Sequence, residues 1–467
     1  MARRGRGDRA VVKKENAGDG ETMENAPHLF FGLSPMWVSS AVLIATYALI
    51  ISERLNRSII ALLGASLMIV LGVLDQDEAI RGIDFNTIAL LTGMMVLVSI
   101  ARRSGIFEYL AVASAKLGRA EPWRMLLILS VTTAVLSAFL DNVTTVLLIA
   151  PVTLSVTRRL GVPPYPFLFA EIFASNIGGT ATLIGDPPNI IIGSAAHLSF
   201  NDFVVNLTPV IVVVLAAQLI ITHLLWGARM RASADAREAI MTLDARHSIT
   251  DWPLLRSAVV VVGAVLVAFV FAKPLHLEPG TIALSGAAVL MLLHNIEHHR
   301  EIEKQTEKVT ATFTDIDWIT IFFFVGLFVV VHGLDTAGVL NYLSRRVIAS
   351  TGGDFALTAY VILWASAFLS AIVDNIPYVA TMIPLIKSMA ADFGGPEKLV
   401  PLWWALSLGG CLGGNGTLIG ASANLTVAGI AERDGVPFGF WTYARYALGM
   451  MVLHVAICHV YLWLRYL

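Results

Sequence analysis

The chain has 467 residues, of which 56% are hydrophobic and only 14% are charged, and its mean hydropathy is +0.73. A soluble domain carries about 25% charged residues, so this composition excludes an ordinary water-soluble globular protein. The net charge of −2 excludes a basic nucleic-acid-binding surface, and two cysteines, Cys411 and Cys458, are too few for a disulfide framework or a multi-cysteine metal cluster.

Residues 1–35 come first and carry the only dense basic run of the sequence. This segment is rich in Gly, Glu and Asn and has no apolar periodicity, so we expect a disordered N-terminal tail. It has no apolar stretch followed by a cleavage site, which argues against a secretory signal. Translation from Met23 instead of Met1 would remove the basic run.

Apolar stretches of nearly 20 residues with few charges follow the tail, and they are typical of membrane helices. In a first half, 36–226, we predict spans at 36–51, 58–74 and 86–101, a re-entrant hairpin of 123–140 and 142–158, an interrupted span at 165–197 and a span at 206–226. A charged linker, 227–253, leads to a second half, 254–467. There we predict spans at 254–272, 280–294 and 318–334, a hairpin within 357–392, an interrupted span at 400–431 and a span at 442–464, with the charged segment 295–314 outside the membrane.

The two halves repeat the same sequence pattern. Leu136–Asn142 matches Leu369–Asn375 at a displacement of 369 − 136 = 233 residues. After a slip of two residues, Thr182–Gly185 matches Thr417–Gly420 at 417 − 182 = 235. Agreement over so many positions indicates an internal duplication.

Each half contains five spans besides its hairpin, and an odd number gives the halves opposite orientations in the membrane. This inverted-repeat plan is found in many secondary transporters. Lys and Arg concentrate in cytoplasmic loops, so the basic loops 102–124 and 227–256, and 295–314 with them, are predicted to be cytoplasmic. Both chain ends then lie outside, which conflicts with the basic tail unless translation begins at Met23. The sequence predicts an all-α polytopic protein of the plasma (inner) membrane.

Two aspartates lie deep within apolar stretches, at equivalent positions of the two hairpins. A charged side chain in hydrocarbon costs at least about 2.5–3.5 kcal/mol, so Asp141 and Asp374 need a structural or a functional reason. Each can cap the second helix of its hairpin, and a capping carboxylate can still face a site. Asn142 and Asn375 follow them and can donate and accept hydrogen bonds. We therefore predict an ion- or substrate-binding site at both hairpin tips.

Glycines and prolines interrupt the spans 165–197 and 400–431, so neither can remain one continuous helix. Exposed backbone at that depth is tolerated only where it lines a cavity or is buried in protein. Close packing through small residues is the alternative explanation, but it does not require the acidic and amide residues found there. We predict that the polar residues of the two breaks complete the site: Asn176, Thr180, Thr182, Asp186, Asn189, Asn415, Thr417, Ser422 and Asn424.

These motifs resemble one superfamily. The runs 136–145, 176–179, 184–189 and 411–424 look like those of the melanosomal P protein family, which is grouped with arsenical pump membrane proteins and some Na⁺/H⁺ antiporters in the ion transporter superfamily. Citrate- and dicarboxylate-type carriers belong there too. The resemblance covers residues 36–464 and implies a scaffold, a moving transport domain, an elevator-type cycle and a homodimer. It places the family's site on the predicted residues other than Asp186, Asn189 and Ser422.

One departure from the superfamily bears on the substrate. Dicarboxylate carriers have Ser-Asn-Thr at both broken helices, whereas this chain has Ser175–Ile177 in one half and Gly410–Leu412 in the other. We also expect no intramembrane Arg or Lys to neutralise a carboxylate substrate. Both points disfavour a sodium-coupled dicarboxylate carrier.

The leading hypothesis is a secondary active transporter for proton-linked efflux of an arsenite- or antimonite-type solute. Asn, Thr and backbone groups would bind this uncharged polyol, while Asp141, Asp374 or Asp186 carries the proton. The alternatives are a Na⁺/H⁺ antiporter, an organic anion carrier of the citrate type and a passive anion channel. No nucleophile–base pair or phosphate loop indicates an enzyme, and no metal or cofactor is expected. The expected partners are the solute, H⁺ or Na⁺, membrane lipid and a second copy of the chain.

Overall fold

A computed structural model describes residues 32–52, 54–242, 244–296 and 300–467. Residues 1–31 of the expected tail lie outside this part of the chain. Within the described ranges the regular structure is helical, and seven helices are long and apolar enough to cross a membrane. A bent pair, α17 and α18, with 117° between its helices, gives an eighth if it is taken as one span. The prediction of an all-α polytopic membrane protein is confirmed.

The surface and the interior have the polarity expected of a protein dissolved in lipid. Leu224, Val260 and Leu292 are 77%, 69% and 65% exposed, whereas Asp186 and Asn424 are fully buried. In water, exposed apolar side chains on this scale would be unfavourable. In a bilayer, apolar groups can face outward and polar groups must find partners inside.

The first half contains the helices α1 to α10. They are α1 (Pro35–Ile51), α2 (Arg57–Val70), α3 (Gln76–Arg81), α4 (Phe85–Arg102), α5 (Ile106–Leu117), α6 (Pro122–Phe139), α7 (Asn142–Leu160), α8 (Tyr165–Thr180), α9 (Pro187–Ala196) and α10 (Phe200–Trp226). Helices α6 and α7 form the predicted hairpin, and the span 165–197 breaks between α8 and α9. Helices α1 and α2 have 17 and 14 residues, which is short for spanning segments of about 20.

The rest of the chain contains α11 to α22. They are α11 (Ala234–Met241), α12 (Trp252–Val270), α13 (Ala272–Leu275), α14 (Pro279–Asn295), α15 (Ile302–Thr314), α16 (Trp318–Thr336), α17 (Val339–Ser350), α18 (Phe355–Ser370), α19 (Asn375–Ser388), α20 (Val400–Gly413), α21 (Ser422–Arg433) and α22 (Phe440–Arg465). Helix α11 lies in the linker, and α15 occupies most of the charged segment 295–314. The second hairpin is α18–α19, and the second break separates α20 from α21. The domain boundaries at 226 and 254 stay predictions.

Helices α5 and α17 lie where the sequence analysis predicted loops. Each begins after a glycine in the left-handed region, Gly105 with φ 80° and Gly338 with φ 77°, a conformation that glycine adopts without steric cost. A Cβ atom on Gly105 would also lie 1.8 Å from the carbonyl oxygen of Ser248. Both helices have only 12 residues and are amphipathic, which explains why hydropathy missed them.

The two halves are interlocked rather than side by side. Helix α4 of the first half packs on α14 of the second, and α16, the repeat equivalent of α4, packs on α2. At both crossings a glycine allows the backbones to approach: a Cβ on Gly93 would lie 2.6 Å from the carbonyl carbon of Ala283, and one on Gly326 would lie 2.5 Å from that of Ala61. In the same way α7 contacts α21, and α19 contacts α9. Matching contacts of this kind fit a two-fold relation, although the opposite orientation of the halves stays a prediction.

Candidate functional site

Both hairpins turn at the predicted aspartates. The Asp141 carboxylate accepts a hydrogen bond from the backbone N–H of Thr144 at 2.8 Å, at the start of α7. The Asp374 carboxylate accepts one from the N–H of Ile376 at 3.1 Å, at the start of α19. Each aspartate therefore caps its helix, which supplies the structural reason for its position. A second carboxylate oxygen remains for other partners.

Asparagine side chains satisfy the carbonyl groups that the two breaks leave without helical partners. The amide nitrogen of Asn189 donates to the carbonyls of Thr180 and Thr182 at 3.1 and 2.9 Å. The equivalent Asn424 donates to those of Gly414 and Thr417 at 2.7 and 2.8 Å. Each break is thereby closed into a defined loop without water, as a buried, non-helical segment in a membrane requires.

Threonine hydroxyls join each break to the hairpin of its own half. The Thr182 hydroxyl donates to the carbonyl of Ala138 near the end of α6. The Thr417 hydroxyl donates to the carbonyl of Ala371, just after α18, at 2.5 Å. The Thr180 hydroxyl bonds within its own helix, to the carbonyl of Asn176 at 2.7 Å. These three hydroxyls therefore hold backbone in place instead of pointing into open space.

Asn176 joins the two halves through a network of buried amides. Its oxygen accepts a hydrogen bond from the Asn142 amide at 3.0 Å, and its nitrogen donates to the oxygens of Asn415 and Asn424, both at 2.9 Å. All four side chains are at most 3% exposed. The hairpin tip of the first half is therefore connected directly to the break of the second half.

The network is not symmetric. Cys411 occupies the position equivalent to Asn176, since 411 − 176 = 235, and it contacts the Asn189 oxygen at 3.5 Å. Asn375, the equivalent of Asn142, has no amide to pair with there and donates to the two carboxylate oxygens of Asp186 at 3.3 and 3.4 Å. The acidic residue of the first break is thus held by the hairpin of the second half.

A cavity of about 290 Å³ opens where four helices begin. The first residues of α7, α9, α19 and α21 line it: Asn142, Pro187, Asn375 and Ser422. Helix N-termini carry a partial positive charge and unpaired N–H groups. The arrangement therefore concentrates positive backbone potential on one small space.

The predicted site residues fall into two groups around this cavity. Asp141, Asn142, Asp186, Asn375 and Ser422 line it, and Asp374 lies one hydrogen bond behind Ser422, at 2.8 Å. The others lie deeper, in the buried contacts described above: Asn176, Thr180, Thr182, Asn189, Asn415, Thr417 and Asn424. The structure brings all of them into one connected region, and a role for them in binding is a proposal.

Arg57 corrects the expectation that no Arg or Lys reaches the site. This first residue of α2 lines the cavity, and its Nη1 donates to the Ser422 hydroxyl at 2.6 Å and lies 3.5 Å from the Asp374 carboxylate. Its Nη2 donates to the hydroxyl of Thr320 at 2.8 Å. The sequence analysis missed Arg57 because it precedes the predicted span 58–74 and lies 374 − 57 = 317 residues from Asp374. The packing of α2 on α16 creates the contact.

The sequence analysis also missed charged residues around the α16 N-terminus. Asp315, Asp317 and Arg102 line the same cavity. Burial raises the pKa of Asp315, but hydrogen bonds from Arg103 at 2.9 Å and Ser99 at 2.8 Å outweigh this effect and hold the pKa below its usual range.

The charges that line the cavity are mixed, with an excess of acid. Four carboxylates, of Asp141, Asp186, Asp315 and Asp317, face two guanidinium groups. Among the described residues, no group of three or more His, Cys, Asp or Glu side chains could hold a metal ion. A monovalent cation or a proton can still bind at single carboxylates, and an anion can bind at the arginines and helix ends.

Several known proteins are similar to this chain along most of its length. An uncharacterised transporter of Mycobacterium tuberculosis is 43% identical over 433 residues, which cover 92% of this chain and 98% of the relative. The human P protein is 34% identical over 506 residues, which cover 91% of this chain and 59% of the P protein. The resemblance to the P protein family is thus confirmed.

Two solved structures have the same fold. The YdaH transporter of Alcanivorax borkumensis superimposes with a TM-score of 0.58 over 92% of this chain and 99% of its own, at 17% identity. MtrF of Neisseria gonorrhoeae, one of a class of antimetabolite efflux pumps, gives a TM-score of 0.51 over 93% and 94%, at 12% identity. At these identities the likeness shows the fold alone.

The family assignment comes from the sequence of both halves. The family described as citrate transporter matches residues 47–409, a range that includes both hairpins, the first break and the start of the second. Its members are membrane carriers and not enzymes, in agreement with the sequence analysis. The chain belongs to the citrate transporter family.

Proposed function

We propose that the protein is a secondary active transporter that couples the movement of a small anionic solute to that of H⁺ or Na⁺. The observation that supports this most directly is the single cavity in which four helix N-termini, Arg57 and buried carboxylates meet. Coupling requires a site for the solute and a site for the ion that influence each other. In this cavity the two kinds of group lie side by side.

The carboxylates of Asp141 and Asp186 are the proposed positions of the coupling ion. Asp186 is fully buried, and its described partners at hydrogen-bond distance include the neutral amide of Asn375. An intramembrane carboxylate without a full positive partner favours binding of a proton or a hard cation. Asp141 lines the same cavity at the opposing hairpin tip.

The proposed anion lies against the helix N-termini, Arg57 and the amides of Asn142 and Asn375. An arginine and N–H groups together favour a carboxylate, because they supply several charge-assisted hydrogen bonds. The arginine removes one of the two arguments against a citrate- or dicarboxylate-type substrate. A cavity of about 290 Å³ is at the small end of ligand pockets and suits a small solute.

Arsenite- or antimonite-type efflux, the leading hypothesis from the sequence, is the second candidate. The neutral amides of Asn142 and Asn375 at the cavity wall favour it, because they could bind an uncharged polyol. Against it, the deeper Asn and Thr side chains are engaged with one another and with backbone. A plasma-membrane location, an elevator-type cycle and a homodimer, which the resemblance implies, are part of the proposal.

Purified protein in liposomes containing a pH-sensitive dye tests the proposal. Citrate, succinate, arsenite and antimonite are supplied separately under an imposed pH or Na⁺ gradient. We expect gradient-driven movement of one of the carboxylates, and loss of coupling in Asp141→Asn and in Asp186→Asn with normal folding. Asp77→Asn, an exposed residue of α3 away from the cavity, is the matched control.

Three results would change the assignment. Gradient-driven transport of arsenite and not of carboxylates would favour the second candidate. Ion currents that follow the membrane voltage without H⁺ or Na⁺ coupling would favour a passive channel. Normal coupling in both aspartate variants would contradict the role given to these carboxylates.

A further inference from the structure

We propose that the guanidinium group of Arg57 occupies a monovalent-cation site at Asp374, so that the second hairpin carries a built-in cation where the first hairpin is left open for an exchangeable one. The inference rests on the proposed coupled transport. It adds that the two equivalent aspartates have different roles, with Asp141 available to the coupling ion and Asp374 already neutralised.

The surroundings of the guanidinium are those of a small hard cation. The Asp374 carboxylate lies 3.5 Å from Nη1, the Ser422 hydroxyl 2.6 Å from Nη1, and the Thr320 hydroxyl 2.8 Å from Nη2. These oxygens come from three helix N-termini, those of α19, α21 and α16. One carboxylate and two hydroxyls are typical ligands of an alkali or alkaline-earth cation.

Further contacts fix this arrangement. The Ser422 hydroxyl donates to the Asp374 carboxylate at 2.8 Å, so both can face the same positive group. The Thr320 hydroxyl donates to Asp317, which adds a second carboxylate behind the first contact. The guanidinium carbon also lies 5.2 Å from the ring centroid of Phe323, within the range of a cation–π interaction. A positive charge is therefore favoured at this point from several sides.

The first half has the aspartate without the cation. No described Lys or Arg nitrogen lies within 4.0 Å of the Asp141 carboxylate. The position that matches Ser422 is Pro187, since 422 − 187 = 235, and proline offers no hydroxyl.

The equivalent of Arg57 also lacks a charge. Ala283 contacts Gly93 as Ala61 contacts Gly326, which gives a displacement of 283 − 61 = 222 for these helices. Arg57 then corresponds to Pro279.

A structural ion pair is the simpler alternative, and it makes a different prediction. The side chains of Arg57 and Asp374 are 26% and 15% exposed, so water and ions in the cavity can reach them. Were the pair only structural, removing Arg57 would destabilise the protein whatever salt is present. If Arg57 stands in for a cation, its removal creates a site that a free cation can fill.

Thermal unfolding of detergent-purified protein distinguishes the two. Arg57→Ala is titrated with NaCl, KCl or guanidinium chloride at low millimolar concentration, with choline chloride keeping the ionic strength constant. We expect a saturable rise in Tm for the variant with at least one of these cations, beyond any rise in the wild type. Adding Asp374→Asn to the variant should abolish the extra rise. Arg102→Ala, which removes a charge from the same cavity, should show no extra rise.

A variant that stays monodisperse but gains no cation-dependent rise would overturn the proposal, as would an equal gain in Arg102→Ala. Should Arg57→Ala fail to fold, Arg57→Gln is used, because it keeps most of the bulk without the charge. The readout does not depend on transport. A cation site in the variant together with no transport by the wild type would therefore refute the proposed function and leave this inference standing.

Discussion

Replacing Asn176 by alanine tests whether the buried amide network holds the two halves together. The substitution removes three hydrogen bonds and leaves one donor, on Asn142, and two acceptors, on Asn415 and Asn424, without their partner. At about 1 kcal/mol for each bond the loss is about 3 kcal/mol. Hydrogen bonds measured inside membrane proteins average about 0.6 kcal/mol, which gives about 2 kcal/mol. We expect the free energy of unfolding to fall by about 2–3 kcal/mol.

Equilibrium unfolding in mixed micelles, followed by tryptophan fluorescence, measures this loss. Ser130→Ala is the matched control, because the Ser130 hydroxyl is buried in α6 and has no hydrogen-bond partner among the described residues. Its removal leaves no group unsatisfied, so we expect a change within about 0.5 kcal/mol. Both substitutions remove a small buried polar group from the same half of the protein, and they differ in what remains behind.

An Asn176→Ala variant as stable as Ser130→Ala would refute the reasoning. Such a result would mean that water or a rearranged amide satisfies the three groups, and that Asn176 does not connect the halves energetically. Asn176→Gln sharpens the test. It keeps the amide but lengthens the side chain by a methylene group in a fully buried position, so we expect it to be destabilising as well.

Two further predictions concern packing and charge. Gly178→Ala should prevent correct folding, because its Cβ would lie 2.1 Å from the carbonyl oxygen of Ala134, whereas Gly449→Ala, with no atom within 4 Å, should leave the yield of monodisperse protein unchanged; equal yields would contradict this. Burial raises the pKa of Asp315, yet its hydrogen bonds with Arg103 and Ser99 hold it below the usual range, so the pair stabilises the protein above the ordinary carboxyl pKa and the contribution is lost as the pH falls through the lowered value. The Tm of Arg103→Gln should accordingly lie below that of the wild type at neutral pH and converge with it at acid pH; a constant difference would refute the assignment.

Features with a local cause could be predicted from the sequence. An aspartate followed by asparagine inside an apolar run predicts a capped helix start, and the structure has such caps at Asp141 and Asp374. Glycines and prolines in a span predict a break, and α8 ends at Thr180 before α9 begins at Pro187. The duplication also predicted which residues would occupy equivalent positions.

Features with a long-range cause could not be predicted in this way. Arg57 looks like a residue at a helix boundary until α2 packs on α16 and brings it to Ser422. The direction of the polar side chains was equally hidden. Asn and Thr at the breaks were expected to face a solute, but Asn189 and Thr182 bond mainly to backbone, because broken helices leave carbonyl groups that need partners first.

The interlocked packing of the halves has a consequence for how the protein is made. Helix α2 is synthesised long before α16, on which it packs, and α4 long before α14. During this interval the small-residue faces around Ala61 and Gly93 have no protein partner and must be covered by lipid or by the insertion machinery. Neither half can complete its own core, so we expect the two halves, expressed as separate chains, to be stable only when they are produced together.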